Sequence, residues 1–380
     1  MKKNIFAAVL SIASLSAGSI FAVGPDSSGS STQDYSYILD SGNSISISRF
    51  TNSPKVTGTH PEGYAITNGY KSYSGTSISA KWDYSGTVIG ISTGTPYITD
   101  LTYKDGILTN AGAKISSNET AIVASRSVAS GFKVFGGIRL NQVKATVNKP
   151  YLGGAANPTF SVAGGYQYEL DTGTSTGFAL GAAYEVPQIM LRASIQYNSE
   201  IKHSNAKVTE TLGGAATASS PDDIISPSSM IIKLRSALSP RMLAFANWRS
   251  SQYKKLTLSG PVHTAAGQGL IYDPESGTDY TLGVALKVND SLNVLVGTAK
   301  GQATDTGANE SALAPFKGNT ANFIGATFKI SDNVEINGGY SLVTLGDATA
   351  TVPLSTGVGG DGKYADNKSS RVTIGTTINF

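Results

Sequence analysis

The chain has 380 residues, a formal net charge of +3, 43 glycines, 18 tyrosines and no cysteine. The nearly balanced charge gives no electrostatic reason to bind nucleic acid, and the missing cysteines exclude disulfides and thiol chemistry. After the first residues, no run reaches the roughly 18 apolar residues that a membrane helix needs.

Residues 1–22 have the pattern of a secretory signal peptide. Two lysines precede an apolar run from Ile5 to Leu10, and small residues follow it. We expect cleavage after Ala22, with Gly18 as a second possible site. The chain is therefore predicted to be exported.

The stretch from Val23 to Asn43 lacks strand alternation and precedes the first predicted strand. Its apolar residues Tyr35, Tyr37, Ile38 and Leu39 stand among glycine, serine, glutamine and aspartate. A well-packed plug needs more buried apolar anchors than these. Residues 23–43 are therefore predicted to form a thin hatch, with Tyr35 to Leu39 as its only firm contact with a barrel wall.

The rest of the chain alternates apolar and small polar residues with a period of two, which is typical of strands that cross a membrane. Six tight turns punctuate this alternation, and the hairpins that contain the last two repeat each other. Six turns join twelve strands, and a first strand from Ser44 and a closing strand bring the total to about 14, an even number. The predicted turns are Ser85-Gly86, Ala129 to Gly131, Pro187-Gln188, Ser239-Pro240, Asn289 to Ser291 and Ser331 to Asn333.

The last nine residues, Val372 to Phe380, place apolar side chains on one face and small polar ones on the other. A terminal aromatic residue on the apolar face indicates the closing strand of an outer-membrane barrel. The alternative is the edge strand of a soluble β-sandwich. The predicted fold class is all-β, a transmembrane antiparallel β-barrel over residues 44–380 with a short N-terminal plug segment.

Long polar connections between the hairpins are predicted extracellular loops, among them Lys149 to Asp171 and Thr211 to Ser226. Strand parity directs seven charged side chains to the lumen, because such charges would be costly on the lipid side. A barrel of about 14 strands has room inside for a solute or a plug. The predicted lumen charges are Arg139, Arg192, Glu200, Lys233, Arg235, Glu335 and Arg371.

The three histidines, His60, His203 and His263, fall in or beside predicted loops, and none has a cysteine or carboxylate at metal-ligand spacing. We expect all three to be solvated. A barrel lipase would need a serine and histidine pair, and only His203 next to Ser204 could be considered. The prediction is a protein that is not an enzyme and has no metal or cofactor.

Six segments from Ser44 onward carry a diffuse resemblance that no single motif dominates. They are Tyr168 to Leu170, Gly177 to Val186, Leu191 to Lys202, Phe245 to Leu256, Leu282 to Gly297 and Gly362 to Phe380. Together they resemble the outer-membrane long-chain fatty-acid and hydrocarbon transporter family of the FadL/TodX type. The resemblance implies a plugged 14-stranded barrel, an apolar pocket below the outer loops and sideways exit through a gap in the wall. The chain departs from the family in lacking the Asn-Pro-Ala signature before the first strand and in having a shortened hatch.

The resemblance also implies five candidate substrate-binding residues. Lys144 falls where the family has a lumenal arginine, and Trp248, Tyr253, Lys254 and Lys255 follow a family pattern of an aromatic pair and a basic residue. A cation in an apolar pocket would pair with a fatty-acid carboxylate. The alternatives are aromatic girdle residues for the two rings and lumen charges in channel water for the lysines.

The implied function is passive uptake of hydrophobic small molecules, either long-chain fatty acids or hydrocarbons, through a monomeric outer-membrane channel in contact with membrane lipids. The alternative is a general diffusion porin for small polar solutes, which the short hatch and the mixed lumen charges favour. A barrel whose loops serve adhesion is a third class, and no loop motif supports it.

Overall fold

The computed structural model describes residues 30–152, 160–252, 257–258, 271–272, 277–302, 310–356 and 359–380. The predicted signal peptide, residues 1–22, and the predicted hatch up to residue 29 lie outside the described residues. Among the described residues, no helix has the length and apolar character needed to cross a membrane.

Fourteen antiparallel strands close into a barrel, which confirms the predicted fold class. The ring closes because β1 (Ser44–Lys55) pairs with β25 (Lys368–Asn379) on one side and with β4 (Tyr73–Tyr84) on the other. In the order in which they neighbour one another, the barrel strands are β1 (Ser44–Lys55), β4 (Tyr73–Tyr84), β5 (Thr87–Gly94), β7 (Gly112–Ala129), β8 (Phe132–Leu152), β10 (Ser175–Val186), β11 (Leu191–Asn198), β14 (Ser229–Ser239), β15 (Met242–Ser251), β18 (Gly277–Lys287), β19 (Leu292–Gln302), β21 (Asn319–Lys329), β22 (Val334–Leu345) and β25 (Lys368–Asn379).

Each of the six predicted tight turns joins two of these strands. In the first of them, Ser85 and Gly86 both have positive φ, at 51° and 80°. Two consecutive positive φ angles match the twist of the flanking strands, which explains why a serine-glycine pair occupies a two-residue hairpin. The turn residues therefore predicted the positions of the hairpins correctly.

The barrel wall alternates between an apolar outer face and a mixed inner face. On β8, Phe132, Val134 and Ile138 are about half exposed on the outer face, whereas Phe135 and Arg139 are buried on the inner face. This alternation matches a strand with one face toward lipid and the other toward a lumen. The same pattern runs around the described strands.

The wall extends above the apolar belt, and part of two predicted loops is strand. β9 (Phe160–Asp171) and β13 (Ala215–Ser226) fall inside the predicted loops, and they pair with β8 and with β12 (Ile201–Leu212). Tyr166 and Tyr168 of β9 face inward and are buried. The loop prediction was wrong there because polar residues fill the outward positions, and so an alternating strand has the overall composition of a loop. β6 (Ile98–Thr102) extends the wall in the same way by pairing with β7.

The remaining short strands lie in the outer connections. A five-stranded sheet joins three of these connections and packs over the barrel mouth. It consists of β2 (Gly58–Thr59), β3 (Ala65–Ile66), β20 (Glu310–Ser311), β23 (Ala348–Pro353) and β24 (Gly359–Tyr364), while β16 (Thr257–Leu258) pairs separately with β17 (Ile271–Tyr272).

The expectation that the histidines are solvated was wrong for the two that are described. His60 is 1% exposed, and its Nε2 lies 2.8 Å from the carbonyl oxygen of Pro353, linking two outer connections. His203 is also buried and bonds to Ser226 at 2.9 Å, not to its neighbour Ser204. Close packing of the outer connections removes water from both rings. His263 lies outside the described residues.

Inside the barrel, four phenylalanines each lie over a glycine that is directly opposite on the neighbouring strand. A side chain at such a glycine would overlap the ring, so the pairs let a bulky ring lie flat against the wall. This packing accounts for part of the high glycine content. The pairs are Phe50 with Gly75, Phe135 with Gly181, Phe245 with Gly283 and Phe323 with Gly297.

Replacing Gly181 with alanine is expected to destabilise the barrel by about 1–3 kcal/mol, the usual range for overpacking. The new methyl group would overlap the Phe135 ring and the carbonyl oxygen of Ile195. Gly338 on β22 is the matched control, because a methyl group added there would lie 3.8 Å from the nearest atom. Urea unfolding from lipid vesicles measures both. Equal stability of the two variants would contradict the packing account.

Candidate transport path

The upper lumen, which we call the mouth, is lined by apolar and aromatic side chains from barrel strands and outer connections. Leu101, Val208 and Ile224 come from the upper wall, Leu108 comes from a short 3-10 helix between β6 and β7, and Val352 comes from the sheet above the wall. Transmembrane β-barrels normally enclose a polar interior. The mouth instead offers a hydrophobic molecule a surface that resembles a protein core.

Tyrosine rings are concentrated in the mouth, and several of their hydroxyl groups are held by the protein. The Tyr103 hydroxyl donates to the carbonyl oxygen of Ala312 at 2.7 Å and lies 3.3 Å from that of Tyr364. Tyr166 donates to the carboxylate of Glu210 at 2.7 Å. Because these bonds satisfy the hydroxyl groups locally, the ring faces contribute mainly apolar and π surface.

Residues 30–43, which we call the N-terminal segment, form the floor of the mouth. Two short 3-10 helices, Ser30–Gln33 and Ser36–Leu39, lie inside the barrel. Tyr35, Ile38 and Leu39 are at most 1% exposed. They pack against Val88, Ala121, Val123, Phe135, Ala179 and Ala183, with Tyr37 at the edge of the same cluster.

Polar contacts extend this docking beyond Tyr35 to Leu39, and the expectation of a single apolar contact region was therefore wrong. The Gln33 amide nitrogen donates to Glu119 at 3.2 Å, and its amide oxygen accepts from Arg249 at 2.7 Å. The Tyr35 hydroxyl donates to Glu119 at 2.6 Å. Matched polar groups on the wall can hold a polar segment where apolar anchors are few.

Arg139 and Glu119 form a buried ion pair at the centre of this network, with both side chains 1% exposed and 2.8 Å between Nη2 and Oε2. Arg139 also donates from Nη1 to the carbonyl oxygen of Ser199 at 2.8 Å. Glu119 accepts from Tyr35 and from Gln33 at the same time. One ion pair thus joins the N-terminal segment to the wall near Ser199.

The C-terminal end of the second 3-10 helix is held by cations. Lys133 donates to the carbonyl oxygen of Leu39 at 2.6 Å, and Lys81 donates to that of Asp40 at 2.6 Å. The carbonyl oxygens at a helix end carry partial negative charge, which favours cations there. The Asp40 carboxylate adds an ion pair with Arg192 at 2.8 Å.

Two carboxylates of the segment titrate outside the usual range. Burial alone would raise the pKa of Asp40, but the charges of Arg192, Arg235 and Lys81 outweigh it and hold that pKa well below 3.8. Burial likewise opposes ionisation of Asp34, and the ammonium group of Lys233, 2.6 Å away, outweighs it and lowers its pKa. Both carboxylates are therefore charged at neutral pH.

Acidification is expected to leave the segment docked until the pH is very low. Because the pKa values of Asp34 and Asp40 lie below their ordinary value of 3.8, their ion pairs are complete above that value and are lost only as the pH falls through the lower docked values. Conductance in planar bilayers should stay constant from neutral pH down to about pH 4 and increase below it. A rise that begins near neutral pH would contradict the assigned contacts.

The hydrogen-bonded ladder of the wall is interrupted beside this network, between β10 and the adjacent strands β11 and β12. The ladder of β10 with β11 ends at Ala179 and Asn198, and the ladder of β9 with β12 begins only at Asp171 and Lys207. We call the region between them, residues 172–178 and 199–206, the wall interruption. The wall interruption lies at the end of the outer apolar belt, because Phe178 is the strongly exposed apolar side chain of β10 that is nearest to the outer connections.

Small and apolar groups occupy the inner side of the wall interruption. A Cβ atom at Gly177 would lie 2.5 Å from Cγ1 of Ile201 and 2.8 Å from Oγ of Ser199. The backbone N–H of Ser199 donates to the carbonyl oxygen of Phe178 at 2.9 Å. Side-chain packing thus replaces a continuous ladder in the wall interruption.

The candidate substrate-binding residues do not gather in the mouth. Lys144 is exposed on the outer side of β8 and pairs with Asp171 at 2.9 Å, and so it does not occupy the predicted lumenal position. Trp248 has outer-face parity on β15 and is opposite Tyr280, which is 44% exposed. Tyr253, Lys254 and Lys255 lie outside the described residues.

Six of the seven predicted lumen charges face inward, and the prediction for Glu200 was wrong. Glu200 is exposed on the outer side, because the irregular backbone at Ser199 shifts the alternation by one residue. Sequence analysis also missed Glu119, Gln33 and Arg249 as a group. Glu119 has inward parity on β7, but strand register was needed to place it beside Arg139.

No family model and no curated protein matches the sequence. Solved structures do match along almost the whole chain. A FadL homologue from Pseudomonas aeruginosa is 15% identical, with a TM-score of 0.74 and 96% of each chain covered. The chain has the FadL/TodX barrel fold. The toluene transporter TodX from Pseudomonas putida is 14% identical, with a TM-score of 0.65 and coverage of 97% of this chain and 98% of that one.

A third structure with the FadL/TodX fold, the Ralstonia pickettii toluene transporter TbuX, is 11% identical with a TM-score of 0.60 over 95% of this chain and 99% of that one. The fold expected from the resemblance is thus confirmed over nearly the full length. Two of these neighbours are toluene transporters, and no group of three metal-ligating side chains occurs among the described residues.

Proposed function

We propose that this protein is an outer-membrane channel for passive uptake of hydrophobic small molecules, either long-chain fatty acids or hydrocarbons. The observation that carries the proposal is the apolar, tyrosine-rich mouth directly above a docked N-terminal segment. A hydrophobic molecule gains free energy by entering such a surface, at about 25 cal/mol for each Å² of apolar area removed from water. The toluene transporters that share the fold support the same class of substrate.

The N-terminal segment acts as the plug, and the wall interruption is the exit. Buried contacts from Gln33 to Asp40 block the descent of a hydrophobic molecule along the side of the lumen from β4 to β15. The wall interruption lies at the level of the same contacts, because Arg139 bonds to Ser199 at its edge. A molecule that displaces Ile201 reaches the apolar outer face and the lipid beside it.

The proposal includes export by the signal peptide of residues 1–22, insertion as a monomer and contact with outer-membrane lipids. Exposed apolar side chains around the described strands support the lipid contact, because such an outer face is unfavourable in water. Outer-membrane fractionation and the N-terminal sequence of the mature chain test location and cleavage.

Uptake and swelling assays separate the proposed function from a general porin. In a Gram-negative host without such a transporter, expression should increase uptake of labelled toluene or hexadecanoate. Vesicles that contain the purified protein should swell no faster in a disaccharide than vesicles without it. Fast disaccharide swelling with no hydrophobic uptake would establish the porin alternative and overturn the proposal.

A further inference from the structure

The N-terminal segment occupies only one side of the lumen. Among the described residues, its hydrogen bonds and ion pairs that involve side chains go to β4 and onward through β15, and at its C-terminal end the carbonyl oxygen of Asn43 accepts from the backbone N–H of Phe380 after β25. Its apolar contacts lie on the same side, against β5, β7, β8 and β10. The opposite side of the barrel, from β18 through β25 to β1, is therefore available for another role.

From that opposite side into β4, uncharged polar side chains form an inward row across neighbouring strands. Asn293 is opposite Thr327, and Thr327 is opposite Asn337. The row continues through Gly375 to Ser48 and then to Ser77 of β4, at the edge of the side that the N-terminal segment contacts. One level closer to the chain termini, Thr377, Ser46 and Ser79 form a second row, in which the inward-facing Glu335 is opposite Thr377. We call these two rows the polar strip.

Three oxygen atoms of the polar strip are buried with no hydrogen-bond partner in the described part of the chain. They are Oδ1 of Asn293, Oγ1 of Thr327 and Oδ1 of Asn337, on residues that are 2%, 1% and 4% exposed. Buried polar groups in proteins are normally hydrogen-bonded. Three acceptors in one row of adjacent strands therefore indicate a site for a ligand that donates hydrogen bonds.

The serines at the other end of the polar strip are only half-buried, and they bond to one another. Ser48 Oγ lies 2.7 Å from Ser77 Oγ, and Ser46 Oγ lies 2.9 Å from Thr377 Oγ1. Apart from Glu335 in the second row, the polar strip offers hydroxyl and amide groups without charge, which suit neutral polar solutes better than ions.

Phe50 closes the polar strip from above. Its ring lies over Gly75 on one side, and the guanidinium carbon of Arg371 is 4.3 Å from the ring centroid on the other. Phe50 is 5% exposed and Arg371 is 7% exposed. The two side chains form a layer between the mouth and the half-buried serines.

We propose that the polar strip is a binding and passage site for water and small uncharged polar solutes. These solutes move along the barrel axis, beside the N-terminal segment. Phe50 is the constriction of this route. The acceptor row binds solutes that carry hydroxyl or amide donors, and the narrow layer at Phe50 excludes larger sugars. This second function does not rest on hydrophobic uptake, since it uses a different side of the lumen.

Vesicle swelling in glycerol tests the proposal with the full-length protein. Vesicles with the wild-type protein should swell faster than protein-free vesicles, and Phe50→Ala should accelerate swelling several-fold because the ring no longer closes the route. Phe328→Ala is the matched control, since Phe328 is 51% exposed on the outer face of β21 and lies away from the lumen. It should leave the swelling rate unchanged.

Two further variants locate the route. Adding Ser48→Trp to Phe50→Ala should return swelling to the wild-type rate or below, because the indole would fill the polar strip. Asn337→Leu alone should slow glycerol swelling by removing one acceptor. The inference is overturned if Phe50→Ala has no effect, if Phe328→Ala accelerates swelling equally, or if Asn337→Leu swells like wild type. Heat-modifiable migration confirms that each variant is folded.

Discussion

Replacing Arg139 with methionine is expected to destabilise the protein by about 3–5 kcal/mol, the cost of leaving a buried charge without its partner. Glu119 would remain 3% exposed with only neutral donors around it. The loss of Arg139 also breaks the bond to Ser199 at the wall interruption. We therefore expect a lower urea midpoint and, because Glu119 also holds Tyr35 and Gln33, a higher conductance from a displaced N-terminal segment.

Lys144→Met is the matched control for this prediction. Lys144 is on the same strand and forms an ion pair of nearly the same length with Asp171, but its side chain is 58% exposed and that of Asp171 is 42% exposed. An exposed pair contributes only about 0–1 kcal/mol. If both methionine variants lost the same small amount of stability, the buried pair would not be what holds the segment.

Joining the two sides of the wall interruption with a disulfide is expected to reduce hydrophobic uptake to the level of cells without the protein. Gly177→Cys with Ile201→Cys places the two sulfurs across the interruption, where a Cβ atom at Gly177 would lie 2.5 Å from Cγ1 of Ile201. The natural chain has no cysteine, so a single bond can form. Reduction should restore uptake, because the reduced side chains are small.

The control disulfide is placed in a part of the same strand pair that already has a continuous ladder. Ala182 and Ile195 face each other there on the outer face of the wall, away from the N-terminal segment. Oxidation of the pair Ala182→Cys and Ile195→Cys should leave uptake unchanged. Normal uptake with the interruption cross-linked would show that substrate leaves by another route.

Local sequence signals predicted the elements of this fold. Period-two alternation identified the strands, and turn residues such as Ser85-Gly86 fixed the hairpins, since both signals depend only on neighbouring residues. Parity also placed Arg139, Arg192 and Arg371 correctly in the lumen. These predictions needed no knowledge of which strands pair at which register.

Features that depend on register or on irregular backbone could not be predicted in the same way. Glu200 has the wrong parity because the backbone departs from the strand at Ser199. Glu119 and Arg139 are 20 residues apart, and only the offset of β7 against β8 brings them together. Lys144 was assigned to the lumen from a resemblance, although the parity of Val143 and Ala145 directs it outward.

The most direct test of the central claim is to locate a bound hydrophobic molecule by anomalous X-ray diffraction from crystals grown with bromotoluene and with a bromo-substituted fatty acid. The account predicts a bromine peak inside the mouth, beside Tyr103 or Tyr166 and above the N-terminal segment. Bromine peaks confined to the lipid-facing outer surface, with none in the mouth, would contradict it.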